Sequence, residues 1–433
     1  MGASAAYHLA IITKENNQPV DITVLEHSSE GVQRGGSAGN SRITRLNTRD
    51  VPPMCFEMII ESNKVAQRLG CARAVNALTI GNWPEKLDPA IESAQQQKKL
   101  RHEILDAARI KTKYPFINSA GFKAVDEEAM TSQGDGAGIF DPHMLIQKLL
   151  EEAKKLGVKV RYSTPVSSIT EENGGVITEL TSGEKIIFDK AVLAAGVWNP
   201  RMMGPHHPVG KKLTTTAEPL YLFKVDDAHI SQLLDFPVLQ LKVKGGEEFA
   251  REHPGFVKKY SQFARTDTRL QVFTMTESRD DGFYFKLGVC KPEETIPKDP
   301  DVLLREAAQV TDEQHRFVTD IITHFLPGVA KCLPGVSIGK ADEIAVGAYS
   351  CAPDYVPIIS PLRTGSNITI IAADTGISGK FAVESGKYAA RYALGHSELI
   401  PEAARETFSI DRNMQSVAMP EQSRFVRISP AHR

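Results

Sequence analysis

Apolar residues change their period several times along the chain, and each change marks a predicted element. Met1 to Ala10 (MGASAAYHLA) reads as an alanine-rich helix start, and Asp21-Ile22-Thr23-Val24-Leu25-Glu26 as a short strand ending in an acid. Phe140 to Leu156 has helical periodicity after an Asp141-Pro142 start and stops at Gly157. Val158 to Tyr162 is then a strand. Glu179 to Phe188 and Lys190 to Leu193 read as further strands, the second running into the small-residue turn Ala194-Ala195-Gly196. Between about Thr214 and Leu287, strand-like segments broken by polar loops predict an antiparallel sheet rather than a βαβ repeat. An apolar strand returns at Ile368 to Ala372, meets the turn Asp374-Thr375-Gly376-Ile377-Ser378-Gly379, and enters a helix through Lys380 to Leu394. There is no internal repeat and no low-complexity block.

This order predicts an α/β chain: a Rossmann-type dinucleotide-binding domain with an inserted α+β substrate domain built on an antiparallel sheet. The full fingerprint is a buried strand, then G-x-G-x-x-G, then a helix whose first amides hold a pyrophosphate. Gly2 fits the third glycine, where a missing side chain lets helix and sheet pack closely. The strand and the first two glycines are not in the sequence, so Met1 is expected to be an internal residue, with roughly ten residues upstream of it. Glu26 stands at the interval of the ribose-binding acid, a carboxylate that accepts from the ribose hydroxyls and excludes a 2′-phosphate. A solvated strand-end acid is the plainer alternative, and the same acid serves NAD. The expected boundaries are 1–66, 136–212 and 340–412 for the discontinuous nucleotide domain, 67–135 and 213–339 for the substrate domain, and 413–433 for a C-terminal extension.

Composition narrows the setting. With 433 residues the chain exceeds one compact core, and a formal charge of −2 gives no electrostatic case for nucleic acid or an anionic membrane surface. No run approaches the roughly twenty apolar residues a membrane span requires. Five scattered cysteines without metal or redox spacing favour a reducing compartment, so a cytoplasmic protein is expected. The terminal Ala431-His432-Arg433 is not a peroxisomal address of the S-K-L type.

The most specific stretch is Gly35-Gly36-Ser37-Ala38-Gly39-Asn40-Ser41-Arg42-Ile43-Thr44-Arg45, glycine-rich with two arginines three apart. If a helical turn begins near Asn40, both guanidiniums project from one face; a flexible loop with solvated arginines is the plainer reading. Taken with G-A-S-A-A-Y-H-L-A, V-L-E, A-A-G-V-W-N, F-K-L-G, A-P-D-Y-V-P-I-I and D-T-G-I-S-G-K-F, in that order, the chain resembles the flavin-dependent amine and amino-acid oxidases, the family of monomeric sarcosine oxidase, fructosyl-amino-acid oxidases and glycine oxidase. The resemblance spans roughly Met1 to Arg412.

The resemblance implies FAD as cofactor. It makes Ser37, Ser41 and Arg42 flavin-side contacts, and Arg45 the clamp on a substrate carboxylate, a role suited to a planar two-donor fork. Lys286 matches the lysine above the flavin ring that assists oxygen reduction. Its alternative is an edge-strand lysine facing solvent. Gly376, Ser378, Gly379 and Lys380 fit the loop and helix mouth facing the flavin pyrimidine, where a positive dipole end favours the reduced ring. Lys380-Phe381 corresponds to a substrate-binding Lys-Phe pair, although this loop is shorter than the sarcosine oxidase pattern and lacks its histidine. Val166 and Gly196 are expected to offer backbone to the cofactor. Gly347 stands where sarcosine oxidases carry the flavin-tethering cysteine, and Cys351 lies too close to Pro353 to replace it, so noncovalent FAD is expected. Cys290 replaces an active-site histidine, which argues against sarcosine itself. Phe223, Phe283 and Tyr284 could line a pocket, although strand aromatics are more often core. The implied activity is oxidation of a C–N bond in a small amino acid or N-substituted amino acid, giving an imine and hydrogen peroxide with molecular oxygen as acceptor. The alternatives are a flavin dehydrogenase, an NAD-dependent oxidoreductase and an inactive flavoprotein.

Overall fold

The computed structural model describes residues 1–32, 35–46, 52, 54–81, 101–204, 207–290 and 299–414, and the backbone of 424–425. Most of the expected extension 413–433 lies outside the described residues. The first helix, Gly2–Glu15, packs along the helix Ala382–Leu394. Glycine at 386 makes this approach possible, because a Cβ there would stand 2.5 Å from the Ser4 side chain. Ser4 Oγ donates to the Val383 carbonyl at 2.7 Å, so the helix crossing is also bonded. Thr23–Leu25 pairs in parallel with Lys159–Arg161. Ala191–Leu193 pairs in parallel with Ile368–Ala372, which pairs antiparallel with Ile358–Pro361. Parallel pairing backed by helices is the pattern of a nucleotide-binding layer.

The helix expected after Asp141 is Pro142–Lys155. Asp141 caps it by accepting from Met144 N at 2.9 Å, and Gly157 leaves it with φ of 96°. One expectation is corrected: Glu179 to Phe188 is not one strand. It is the turn and outer arm of a hairpin, Gly175–Leu180 with Lys185–Phe188, because Ser182-Gly183 turns the chain with Gly183 at φ of 87°.

The second layer is a large, mostly antiparallel sheet. Its strands run in the order Glu343–Cys351, Thr214–Lys224, Gly282–Val289, Thr268–Arg279, Val238–Lys244, Ala77–Gly81, Lys123–Glu127, His102–Leu105, with Arg424–Phe425 added beside Thr268–Arg279. Strand Glu343–Cys351 lies past residue 340 yet pairs with Thr214–Lys224, so the sheet draws on sequence expected for the nucleotide domain. Alternation sets the two faces of this sheet apart. Tyr221, Phe223, Leu241, Val272, Phe285 and Leu287 enter the largest core beside Phe317, Ile321 and Phe325 of the helix Asp312–Phe325. That helix is fixed at its start by a capping box between Thr311 and Gln314. Phe223 and Phe283 are therefore core rather than pocket wall.

On the opposite face stand Glu218, Gln240, Lys242, Gln271, Phe273 and Lys286, the residues in between. Glycine at 288 is required there, since Phe273 lies directly across and would meet a Cβ at 2.2 Å. Among the described residues, no helix is long and apolar enough to cross a membrane.

Candidate active site

One cavity of about 2030 Å³ lies between the nucleotide layer and the polar face of the large sheet. Gly2 opens the first helix at its wall, where a Cβ would approach Ala194 Cβ to 3.3 Å, the close helix-to-sheet contact expected of it. Glu26 ends its strand at the cavity and is held by Ser28 N, which donates to Oε1 at 2.8 Å. Val166 and Gly196 also reach the cavity, Gly196 with φ of 56°.

The glycine-rich loop does not become a helical turn. After a short 3₁₀ turn at Gly35–Ser37, the chain is a strand, Arg42–Thr44, pairing with Gly138–Phe140, because β-branched Ile43 and Thr44 favour the extended form. The two arginines therefore part company. Arg42 folds back on its own loop: Nη1 donates to the Ser41 carbonyl at 2.7 Å and Nη2 to the Gly36 carbonyl at 2.9 Å and to the Ala38 carbonyl. This guanidinium lines the cavity, and burial lowers its pKa. Arg45 turns to the large sheet, donating to Thr79 Oγ1 at 2.9 Å and Gln240 Oε1 at 2.6 Å. Gln240 lines the cavity; Arg45, the expected carboxylate clamp, stands behind it.

Lys286 is 1% exposed and reaches the cavity wall with all three ammonium protons engaged. It donates to Glu277 Oε2 at 2.7 Å, to Ser41 Oγ at 2.8 Å and to the Ser41 carbonyl at 2.9 Å. Ser41 Oγ in turn donates to Glu277 Oε2 at 2.6 Å. Burial pushes the Lys286 ammonium down to about 8, against the pull of Glu277. For Glu277, burial pushes up, but Lys286 and the hydrogen bonds from Lys286 and Ser41 outweigh it and hold the carboxyl at about 2.

The final loop closes the other side. Gly376 takes φ of 68° with Tyr349 against it, where a Cβ would sit 3.2 Å from the ring. Ser378 and Gly379 follow in a 3₁₀ turn that leads into Ala382–Leu394, and both line the cavity with Lys380. Among the described residues, buried Ser378 Oγ has no hydrogen-bond partner, a donor without an acceptor at the cavity wall. Asp374 anchors the loop by accepting from Ser350 N at 3.1 Å, and its burial raises its carboxyl to about 6.

Sequence reasoning missed Glu277, Asp374, Glu218, Gln240 and Tyr349. Glu218 accepts from Tyr349 Oη at 2.9 Å inside the cavity wall. Strand parity could have placed several of these on one face with Lys286; the pairing itself depends on register, in which Lys286 faces Met275 and reaches Glu277 two residues along. Cys351 is buried, and Cys290 lines the cavity.

These features fit a dinucleotide: a glycine-opened helix, a strand-end acid, buried cations, an unpartnered serine hydroxyl and a wall of backbone. A family described as FAD dependent oxidoreductase matches residues 1–392. The chain is similar to monomeric sarcosine oxidase of Streptomyces avermitilis, 24% identical over 91% of each chain. It is also similar to N-methyl-L-tryptophan oxidase of Salmonella agona, 25% identical over 70% of this chain and 68% of that one. Its fold matches the open form of NikD, described as an unusual amino acid oxidase essential for nikkomycin biosynthesis, with a TM-score of 0.70, 14% identity and 94% of each chain covered. FAD, rather than NAD, is thus the cofactor, and the chain belongs to the FAD dependent oxidoreductase family.

Proposed function

We propose that this oxidoreductase oxidises a C–N bond in a small amino acid or N-substituted amino acid, releasing an imine that water hydrolyses and passing electrons to molecular oxygen to give hydrogen peroxide. The observation that carries this reading is the convergence of Gly2, Glu26, Arg42, Lys286 and the Gly376–Lys380 loop, from well-separated stretches of sequence, on one cavity. The names of the relatives support the substrate class, since two of them oxidise N-methyl amino acids.

Bound FAD supplies the acceptor for the hydride equivalent from the carbon beside nitrogen. The chain's own groups bind and orient. Glu26 accepts from the adenosine ribose, the first helix presents its amides to the pyrophosphate, and Val166 and Gly196 give backbone at the adenine end. Ser37, Ser41 and Arg42 form the flavin side of the glycine-rich loop. Gly376, Ser378 and Gly379 face the pyrimidine edge, with Ser378 Oγ supplying the donor that has no partner among the described residues. Lys380 takes the substrate carboxylate, and Arg45 holds the Gln240 amide at the same wall. The substrate reacts as the neutral amine, so orientation replaces a strong base. Lys286 brings a fixed positive charge to a site with little water, where charge developing on oxygen is stabilised most.

The nucleotide domain is assembled from 1–66, 136–212 and 340–412, and the substrate domain from 67–135 and 213–339, with strand Glu343–Cys351 of the last nucleotide segment extending the substrate sheet. FAD is held noncovalently, as the buried Cys351 stands where no tether is expected. None of the five cysteines forms a disulfide, which supports a cytoplasmic location.

Acid precipitation should release FAD into the supernatant, and a screen of N-methyl, cyclic and glycated amino acids should yield peroxide with at least one class. A preparation that binds FAD yet gives none, and whose dithionite-reduced form persists in air, overturns the oxidase reading. A second reading, a dehydrogenase using another acceptor, is favoured by one contact: Glu277 offsets the Lys286 charge at 2.7 Å. Persistence of the reduced form in air combined with rapid dye reduction by substrate identifies it.

A further inference from the structure

We propose that Glu277 is a positioning residue for Lys286: its buried carboxylate keeps the ammonium charged and pinned to Ser41 at the cavity wall. The inference rests on the reading that Lys286 serves the oxygen half of the reaction.

An ammonium removed from water tends to shed its proton unless an anion accompanies it. Lys286 is surrounded by such pressure. Arg42, next to Ser41 in sequence, adds a like charge from the side of the glycine-rich loop, and Arg279 adds another from beyond Glu277. Glu277 is the anion in direct contact, while Asp141 and Asp374 face Arg42. Both Glu277 oxygens are committed. Oε2 takes Lys286 and Ser41, and Oε1 takes Arg279 Nε at 2.6 Å. Arg279 is braced in turn by Glu343, at 2.6 Å from Nη1, and lies over the Tyr284 ring at 5.0 Å.

The result is a row of alternating charges, Glu343, Arg279, Glu277 and Lys286, that runs inward from an exposed carboxylate to the cavity. The row fixes where the last charge sits. Gly39 borders both cations, where a Cβ would make ordinary contact at 3.7 Å with Lys286 Nζ and Arg42 Nη1, and its φ of 86° is what favours glycine there. A buried ion pair of this kind adds little net stability, but breaking it strands the surviving charge.

The test is Glu277→Gln, which keeps the shape and one accepting oxygen but removes the anion, with Glu277→Asp as the conservative variant that retains it. The Lys286 titration is followed by NMR in FAD-free protein carrying ¹³Cε-labelled lysine, its signal assigned by loss in Lys286→Met. The Gln variant should lower the Lys286 midpoint by about 1 to 3 pH units, the usual range for losing an adjacent opposite charge. The Asp variant should recover most of that shift. In holoenzyme, the pH at which air reoxidation fails should move down by the same amount. A Gln variant with native fold and an unmoved midpoint overturns the proposal. Should Lys286→Met leave reoxidation unchanged, the oxygen reading fails separately, because the midpoint is measured without flavin or oxygen.

Discussion

Phe285 and Lys286 are consecutive residues of one strand, equally hidden from solvent, and they belong to two different kinds of interior. Phe285 enters an aromatic layer, edge-on to Phe236 at 5.3 Å, beneath the helix Asp312–Phe325. Lys286 enters a wall of polar groups that takes all three of its ammonium protons. Alternation alone sends them apart; what differs is the demand each face makes. The helix-side face asks for volume and shape. The cavity-side face asks for charge balance and open space, and it tolerates buried ions because the Ser41 loop and Glu277 were folded around them.

The contrast is broken most severely on the apolar side. Phe285→Ala removes a fully buried ring from a close-packed layer and should lower the unfolding free energy by about 3 to 5 kcal/mol, read from the urea midpoint. Protein that stays folded should keep its oxygen reactivity, since the lost volume lies on the far side of the sheet. A loss under about 1 kcal/mol, within the range of ordinary surface changes, would mean that the layer relaxes and that shape matters less there than argued. Lys286→Met makes the complementary cut. It should slow air reoxidation of the reduced flavin about a hundredfold, the scale of losing one preorganised charge-stabilising donor, while anaerobic reduction by substrate stays nearly constant. Equal slowing of both half-reactions would show that Lys286 serves general architecture instead.

How far each face could be read beforehand follows from the same contrast. The helix-side residues announce themselves by apolar alternation, and the antiparallel layer was legible between Thr214 and Leu287. So were the capped helix after Asp141 and the strand, turn and helix around Gly376, because a cap and a glycine turn are local signals. The cavity face depends on partners distant in sequence. Glu277 meets Lys286 through strand register, and Ser41 joins them across 245 residues. Arg45 was misdirected for a related reason. Its spacing from Arg42 suits a helix, but pairing with Gly138–Phe140 makes the segment a strand and sends the guanidinium to Thr79 and Gln240.

The helix-side face carries one polar feature of its own, and pH should reveal it. His253 lies in contact with Phe122, Phe249 and Phe325, with Nδ1 3.0 Å from His324 Nε2. Burial, followed by the neighbouring His324, lowers its pKa from 6.5 to about 4. The folded state thus holds a neutral ring where the unfolded chain would take up a proton. The associated stability is complete above pH 6.5 and is lost as pH falls toward 4, on the order of 2 kcal/mol by pH 5. Urea midpoints measured between pH 7.5 and 4.5 should fall accordingly, and His253→Phe should flatten the slope. Because Asp374 and Lys286 titrate on the other face, flavin retention in the variant should keep its native pH dependence.

The smallest effect concerns a single oxygen. Ser378 Oγ is buried at the cavity wall without a partner among the described residues. A hydroxyl in that position costs stability in the empty protein and recovers it when an acceptor arrives. Ser378→Ala should therefore leave the FAD-free chain as stable as before or slightly more so, and weaken FAD binding by about 1 kcal/mol, roughly fivefold in Kd. Both quantities can be read from one set of thermal melts with increasing FAD. If the variant binds FAD as tightly as the parent, the hydroxyl does not point at the cofactor, and the loop contributes through its backbone alone. If instead the FAD-free form is destabilised, Ser378 is bonded within the fold, and the polar face is closed at this point as fully as it is around Lys286.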